Sequence, residues 1–198
     1  MRALPLAALG LLATAMLAVA NAAPIKLPRY VASGDRNLPK VQYADTLVSI
    51  NKRCTVRKLL MTPTTRPVYV NSKPLGFCCR MCTWTFVLDP AKYIKEEGLS
   101  VNCPVSNPTR PAVLDPTLMV AINWEYYFFS DREAMAKFQQ NPLKYTGKLT
   151  DPVLGKRFTP RAKSPKLVHQ GRTYYFASGA NRNKYKKDPN AFSYRAID

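Results

Sequence analysis

The stretch PLGFCCRMCTWTFVLDPAKY, residues 74–93, contains a pattern that occurs three times in the chain. One aromatic residue lies thirteen positions before a proline, a second lies four before it, and a third lies three after it. The three prolines are Pro90, Pro142 and Pro189, and each follows an Asp or an Asn. Because chance rarely places several residue classes at identical offsets three times, we predict three tandem copies of one unit. The aromatic sets are Phe77, Phe86 and Tyr93, then Phe129, Phe138 and Tyr145, then Phe176, Tyr185 and Phe192.

Each predicted unit begins with a β-hairpin. Two short runs rich in β-branched and aromatic residues flank a turn that contains Asn, Gly or Pro, which is the pattern of a hairpin. The first pair of runs encloses residues 71–74, so we expect a four-residue turn there. The expected strand pairs are 68–70 with 75–78, 118–122 with 126–129, and 166–169 with 172–177.

A helix is expected after each hairpin. It should end before the proline of its unit, because proline cannot continue an α-helix. In the middle unit, Ser130 and Glu133 form a capping box, which predicts that this helix begins at Ser130. Asp89, Asn141 and Asp188 are expected to be N-caps of a second short helix with proline at its first position. The middle aromatic of each set would then pack from the helix onto the hairpin.

These elements predict an α+β fold in which three small tandem β-hairpin–helix units pack into one compact body. The linkers between the units are short, and the seventeen prolines favour small α+β units over a helical bundle. The expected units span residues 46–97, 98–149 and 150–198.

The N-terminus has the features of a cleavable signal peptide, residues 1–23. Arg2 precedes an apolar run over residues 4–20, and the run ends in the small-residue triplet Ala20-Asn21-Ala22. A basic, proline-rich arm is expected over residues 24–45. Since no other stretch is apolar enough to span a bilayer, we expect a protein that is periplasmic or secreted, without a transmembrane segment.

The chain is strongly basic, with a formal net charge of +18. This charge favours anionic surroundings, such as an acidic or anionic partner surface. Basic residues are spread over the whole chain, and export argues against nucleic acid, so nucleic-acid binding is not expected. The alternative is a solvated basic surface without a dedicated ligand.

Four of the five cysteines lie in the first expected unit. Cys54 precedes the hairpin; twenty-three residues separate it from Cys78, and three more separate Cys78 from Cys82. Cys78 and Cys82 would lie one helical turn apart on the same face. Three converging thiolates suit a soft metal ion, Cu(I) or Zn(II). We therefore predict a metal site at Cys54, Cys78 and Cys82, with Cys79 as a spare or fourth thiolate.

The first unit has an opening cysteine, Cys54, the sequence Phe77-Cys78-Cys79 with Cys82, and an Asp-Pro-x-x-Tyr motif at 89–93. In these features it resembles the YHS/TRASH-like metal-binding domains. The resemblance implies small treble-clef-like folds and the binding, sensing or trafficking of heavy metals, often copper. The third unit shows the same frame without cysteines, in residues 151–156, 171–178 and 188–189.

The second and third units depart from that pattern. The second keeps one cysteine, Cys103, and the third has none. We therefore expect these units to act as scaffold or partner surface, and His169 to be a surface or packing residue. The residues that match Cys78 and Cys82 are Ser130 and Ala134 in the second unit, and Ala177 and Asn181 in the third.

Two other interpretations of the cysteines remain open. An exported chain meets oxidising conditions, so the first unit could be braced by disulfides, with Cys103 as a free thiol or in an intermolecular bond. Cys79-Arg80-Met81-Cys82 is also a C-x-x-C motif at a helix start, which is typical of thiol oxidoreductases. No βαβ pattern surrounds it, which disfavours that chemistry.

Catalytic machinery is not evident. The chain has twelve acidic residues and one histidine, and no Ser/His/Asp set, phosphate-binding glycine loop or paired-carboxylate site stands out. We expect a protein that is not an enzyme. The two function classes are an exported metal-binding protein and a structural or interaction module whose cysteines form disulfides.

Overall fold

The computed structural model describes residues 40–43, 45–62, 64–106 and 110–193. The predicted signal peptide and most of the predicted arm lie outside these residues. Among the helices of the described ranges, none is both long and apolar enough to cross a bilayer.

The described residues form a mixed α+β structure with a six-stranded sheet, as the fold class predicted. Three hairpins build this sheet, and a helix follows each hairpin. The elements of the first hairpin–helix segment are β1 (Val68–Val70), β2 (Lys73–Leu75), α1 (Arg80–Leu88) and α2 (Pro90–Glu96). Those of the second are β3 (Met119–Ile122), β4 (Glu125–Phe128), α3 (Arg132–Gln140) and α4 (Leu143–Thr146). Those of the third are β7 (Lys166–His169), β8 (Arg172–Tyr175), α5 (Gly179–Lys187) and a 3-10 turn, Asn190–Phe192. A 3-10 turn, Pro116–Leu118, precedes β3, and the short strands β5 (Leu149–Thr150) and β6 (Arg157–Phe158) pair separately.

The sheet has the strand order β2-β1-β4-β3-β8-β7. Strands within a hairpin are antiparallel, whereas the first strand of one hairpin pairs in parallel with the second strand of the next. Each parallel junction consists of one residue pair, Val70 with Tyr126 and Ile122 with Thr173. Because single-pair junctions provide few ladder hydrogen bonds, side chains have to supply the rest of the connection.

Two asparagine side chains supply the connection between neighbouring hairpins. Asn71 and Asn123 are the first turn residues of their hairpins, with φ values of 46° and 51° in the left-handed region that asparagine tolerates. Each side chain forms three hydrogen bonds with the backbone of the following segment, donating to two carbonyl oxygens and accepting from one amide. The bonded residues are Asn102 and Phe128 for Asn71, and Thr150 and Tyr175 for Asn123.

A third asparagine makes the same set of bonds at the start of the sheet. Asn51 Nδ2 donates to the carbonyl oxygens of Arg53 and Gly76, at 2.8 Å each, and its Oδ1 accepts from the Gly76 amide at 2.9 Å. The amide of Ile50 donates to the carbonyl of Pro74 in strand β2. Residues 50–51 therefore cover the β2 edge as a preceding hairpin would.

The repeated aromatic offsets give repeated packing. In each segment, the aromatic of the main helix contacts the one that ends the hairpin, with ring centroids 5.2, 5.0 and 5.4 Å apart. The third aromatic of each set lies 6.3, 6.1 and 6.2 Å from the helical ring. Phe86, Phe138 and Tyr185 are buried, as predicted from their spacing.

Local predictions were wrong at three places. Asp89 is the N-cap of α2, but the N-cap residues of α4 and of the last 3-10 turn are Pro142 and Pro189, one position after the predicted Asn141 and Asp188. The first hairpin turn contains two residues, Asn71 and Ser72, both with positive φ, instead of four. Two successive left-handed residues match the right-handed twist of the strands, so Lys73 and Pro74 extend the strand. The middle helix begins after Asp131, not Ser130, because Asp131 Oδ1 accepts from the Ala134 amide at 2.8 Å.

A buried ionic network connects the three segments. Glu125, at the start of β4, is fully buried, and its carboxylate contacts Arg157 Nη1 at 2.5 Å. It also accepts hydrogen bonds from the Thr150 amide and from the Tyr127 hydroxyl. The Arg157 guanidinium lies 3.5 Å from the centroid of the Tyr69 ring. The network thus connects the first hairpin, β4 and the β5–β6 pair.

Candidate metal centre

The three predicted metal-ligating cysteines come from three different local structures. Cys54 lies in a tight loop, where its amide donates to the Leu59 carbonyl and its carbonyl accepts from the Lys58 amide. Cys78 follows strand β2, and Cys82 lies in the first turn of α1. The loop, the end of the hairpin and the helix start meet at one corner of the first segment.

The structure brings these three thiols together at that corner. The Sγ atoms of Cys54, Cys78 and Cys82 all lie within 4.8 Å of one another, and those of Cys78 and Cys82 are 3.6 Å apart. Cys54 is fully buried and Cys82 nearly so, whereas Cys78 is partly exposed. These three thiols are therefore close enough to one another to hold a metal ion.

The fourth cysteine of the segment lies beside this set. Cys79 Sγ is 3.4 Å from Cys82 Sγ and 4.0 Å from Cys78 Sγ. Cys79 is partly exposed, as Cys78 is, and it does not belong to the set of three thiols within 4.8 Å of one another. The prediction of Cys79 as a spare or fourth thiolate is compatible with this position.

The spacing of the three sulfurs suits a thiophilic metal ion. A metal at about 2.3 Å from each sulfur holds neighbouring sulfurs about 3.8–4.0 Å apart in tetrahedral or trigonal geometry. The Sγ atoms of Cys78 and Cys82 are 3.6 Å apart, and each of them lies within 4.8 Å of Cys54 Sγ. The range of 3.8–4.0 Å falls between these two values. All five cysteines of the chain are free thiols in the structure. The residues therefore fit a soft metal ion without rearrangement of the backbone.

One thiol of the cluster is set up to ionise first. A hydrogen bond from Cys82 lowers the pKa of Cys54 to about 5; burial opposes this shift, and backbone amides of Arg57 and Cys78 support it. The same hydrogen bond, together with burial, raises the pKa of Cys82 well above its ordinary value. Burial raises the pKa of Cys78 to about 12. A cation would therefore meet one thiolate and displace protons from the other two thiols.

The second segment has a different set of residues at the corresponding corner. Cys103 Sγ lies 3.4 Å from Ser106 Oγ, which lies 3.0 Å from Ser130 Oγ. Burial raises the pKa of the Cys103 thiol, but hydrogen bonds from Ser106 outweigh burial and lower it to about 7. One thiol and two hydroxyls are poor ligands for a soft metal ion, since hydroxyls are hard donors.

In the third segment, a single carboxylate joins the corresponding corner through hydrogen bonds. Asp151 lies at the position of Cys54, and its Oδ2 accepts from the Ala177 amide at 2.7 Å and from Asn181 Nδ2 at 2.9 Å. Its Oδ1 accepts from the amides of Val153 and Leu154. Residues that match Cys78 and Cys82 thus donate hydrogen bonds to Asp151. These internal hydrogen bonds join the loop, the end of the hairpin and the helix start of the third segment.

Tyr43 and Met61 lie behind this thiol corner; the sequence indicated Met61 only as a possible thioether donor or core residue and did not indicate Tyr43. A Cβ atom on Gly76 would lie 2.4 Å from Tyr43 Oη and 2.6 Å from Met61 Sδ, so both groups pack against the backbone just before Cys78. Burial, and secondarily the charge of Cys54, raises the pKa of Tyr43 to about 12, so the phenol stays neutral. No local motif identifies either residue. Their proximity depends on the path of residues 40–62 across the first hairpin.

No protein-family model, curated protein or solved structure matches this chain. The resemblance to YHS/TRASH-like domains therefore stays a prediction from the sequence.

Proposed function

We propose that this protein binds a soft metal ion through the thiolates of Cys54, Cys78 and Cys82. The observation that supports this function is the mutual approach of three free thiols, two of them buried, within 4.8 Å. Three thiols that converge in this way provide the soft donor set that a thiophilic cation prefers.

Cu(I) is the ion that the three thiolates favour over Zn(II). Structural Zn(II) has four protein ligands, whereas the set within 4.8 Å contains three thiols. Soft thiolate ligands select Cu(I), and three of them would leave no position that needs another donor. Zn(II) would need a fourth donor, either Cys79 or a water molecule.

The biological role that we propose is the binding, trafficking or homeostasis of a metal in the periplasm or outside the cell. It rests on the signal-peptide features of residues 1–23 and on the metal corner together. The proposal contains no catalytic step. The basic surface would face an acidic or anionic partner.

We also propose that each hairpin–helix segment is one treble-clef-like unit, of which the first alone keeps the metal ligands. The repeated ring distances and the repeated asparagine bonds support this proposal. Asp151 and its donors would then replace the metal in the third unit.

The test is a metal titration of purified, reduced protein in the absence of oxygen. The unsubstituted protein should bind one Cu(I) in competition with a coloured Cu(I) chelator, and the double variant C78S/C82S should lose this binding while keeping its fold by circular dichroism. C103S is the matched control, because it removes a buried thiol outside the corner and should bind Cu(I) normally. Equal binding by C78S/C82S would reject the proposed site. A fold that is lost under reduction would favour disulfides and the structural-module alternative.

A further inference from the structure

The first segment contains two overlapping triangles of thiols. The inner one is Cys54, Cys78 and Cys82, and the outer one is Cys78, Cys79 and Cys82, with sulfur–sulfur distances of 4.0, 3.4 and 3.6 Å. They share the edge between Cys78 and Cys82. Cys54 is fully buried, whereas Cys79 is partly exposed, so the two triangles lie at different depths below the surface.

The position of Cys79 in its helix gives independent support for a role of this thiol. Cys79 is the N-cap residue of α1, yet its side chain makes no capping hydrogen bond. The N-cap residues of α3 and α5, Asp131 and Ser178, both accept a hydrogen bond from the amide three residues on. An uncapped helix start costs about 1 kcal/mol, and in α1 the side chain lies against the thiol cluster instead.

We propose that Cys79 is the exchange ligand through which the bound metal leaves the buried site. The inference rests on the proposed function. In the exchange, the copper–sulfur bond to Cys54 breaks and a copper–sulfur bond to Cys79 forms, while Cys78 and Cys82 keep hold of the ion. The proton that Cys79 releases passes to solvent or to Cys54, and copper stays Cu(I) throughout.

The outer triangle is the side from which an acceptor can approach. Arg80 and Met81 are the two residues that follow Cys79. Both side chains are exposed, and Met81 is 60% exposed. Cys54, in contrast, has no exposed surface. A soft-donor acceptor, such as a thiol-bearing ligand, can therefore reach an ion at the outer triangle more readily than one at the inner triangle.

The test measures affinity and transfer separately. Protein loaded with one Cu(I) is mixed with excess bicinchoninate, and the coloured chelate is followed by stopped flow, while an equilibrium competition gives the affinity. C79A and C79S are compared with the unsubstituted protein, with C54S as a resident-ligand variant and with C103S as the control. Serine restores a capping side chain and alanine does not, so the pair separates helix capping from loss of the thiol.

Both Cys79 variants should keep the wild-type affinity within about threefold, because the inner triangle is intact, and should transfer copper about tenfold more slowly. Transfer at the wild-type rate in both variants would overturn the inference. So would a slow rate in C79A alone, or an affinity loss as large as that of C54S. Absence of Cu(I) binding by the unsubstituted protein would overturn the proposed function as well, whereas normal binding with unchanged transfer would overturn only this inference.

Discussion

Arg157 is the residue that compensates the most deeply buried charge in the described part of the sheet. The Glu125 side chain is 1% exposed and that of Arg157 is 12% exposed. Burial raises the pKa of Glu125 to about 7, and Arg157 opposes that shift. Arg157 also lies over Tyr69 and 3.6 Å from Asp45. A single guanidinium thus satisfies groups from residue 45 to residue 125.

Substitution of Arg157 by alanine should destabilise the protein by about 3 kcal/mol, because removing one partner leaves the other charge buried without compensation. Urea unfolding followed by circular dichroism measures this change. Arg161, which is exposed, provides the control: R161A should change the free energy of unfolding by less than about 0.5 kcal/mol. Equal midpoints for R157A and the unsubstituted protein would contradict the role of the network.

At the scale of single residues, some contacts were predictable from the sequence and others were not. The spacing of Cys54, Cys78 and Cys82 was sufficient to predict that they meet, because Cys78 and Cys82 lie four positions apart around the helix start and Cys54 opens the unit. The pairing of Glu125 with Arg157 was not predictable, since they lie thirty-two positions apart and neither belongs to a local motif. Cys79 could be placed at the helix start, but its missing capping bond became visible only in the structure.

At the scale of elements, the hairpin turns connect one segment to the next. In the first two hairpins, the first turn residue has left-handed backbone geometry. Its side chain forms hydrogen bonds with the second strand of the following hairpin. Asn71 and Asn123 both lie nineteen residues before the proline of their unit, so the offset pattern contained this signal. Sequence analysis treated them only as turn residues, because a side chain that bonds to a distant backbone leaves no local periodicity.

The asparagine connection predicts a large effect at Asn123 and a small one at its counterpart in the third hairpin. N123G should lower the free energy of unfolding by about 2–3 kcal/mol, because backbone groups of Thr150 and Tyr175 lose buried partners. Glycine accepts positive φ, so the substitution does not add backbone strain. Thermal or urea unfolding measures the difference.

Gln170 is the matched control, since it lies at the same offset with φ of 49° but is exposed. Q170G should shift the free energy of unfolding by less than about 0.5 kcal/mol. A similar loss in both variants would show that the turn itself, and not the bridging side chain, stabilises the sheet.

At the scale of the whole molecule, the α+β class and the three hairpins followed by helices were predictable from aromatic offsets and turn residues. The order of the hairpins in one sheet was not, because each parallel junction rests on one residue pair and one asparagine. The segment around Asn51 was expected to open the first unit, yet it also covers the β2 edge. Long-range hydrogen bonds of this kind follow from tertiary packing, which local patterns do not encode.

The three segments of the molecule also differ in the residues at their corners. The corners of the second and third segments are satisfied by serine hydroxyls or by Asp151, and among the described residues the corner of the first segment is the group of free thiols close enough for a metal. In the proposed function, two segments would support one metal centre. The charge of +18 would then act on partner approach and not on metal binding itself.

The measurement that tests this account most directly is the metal content of the protein, purified without chelator, together with a count of its free thiols. We predict about one copper or zinc ion per chain, with the thiols of the first segment reduced. Absence of metal, even after reduction and reloading, together with disulfides among Cys54, Cys78, Cys79 and Cys82 by mass spectrometry, would contradict it.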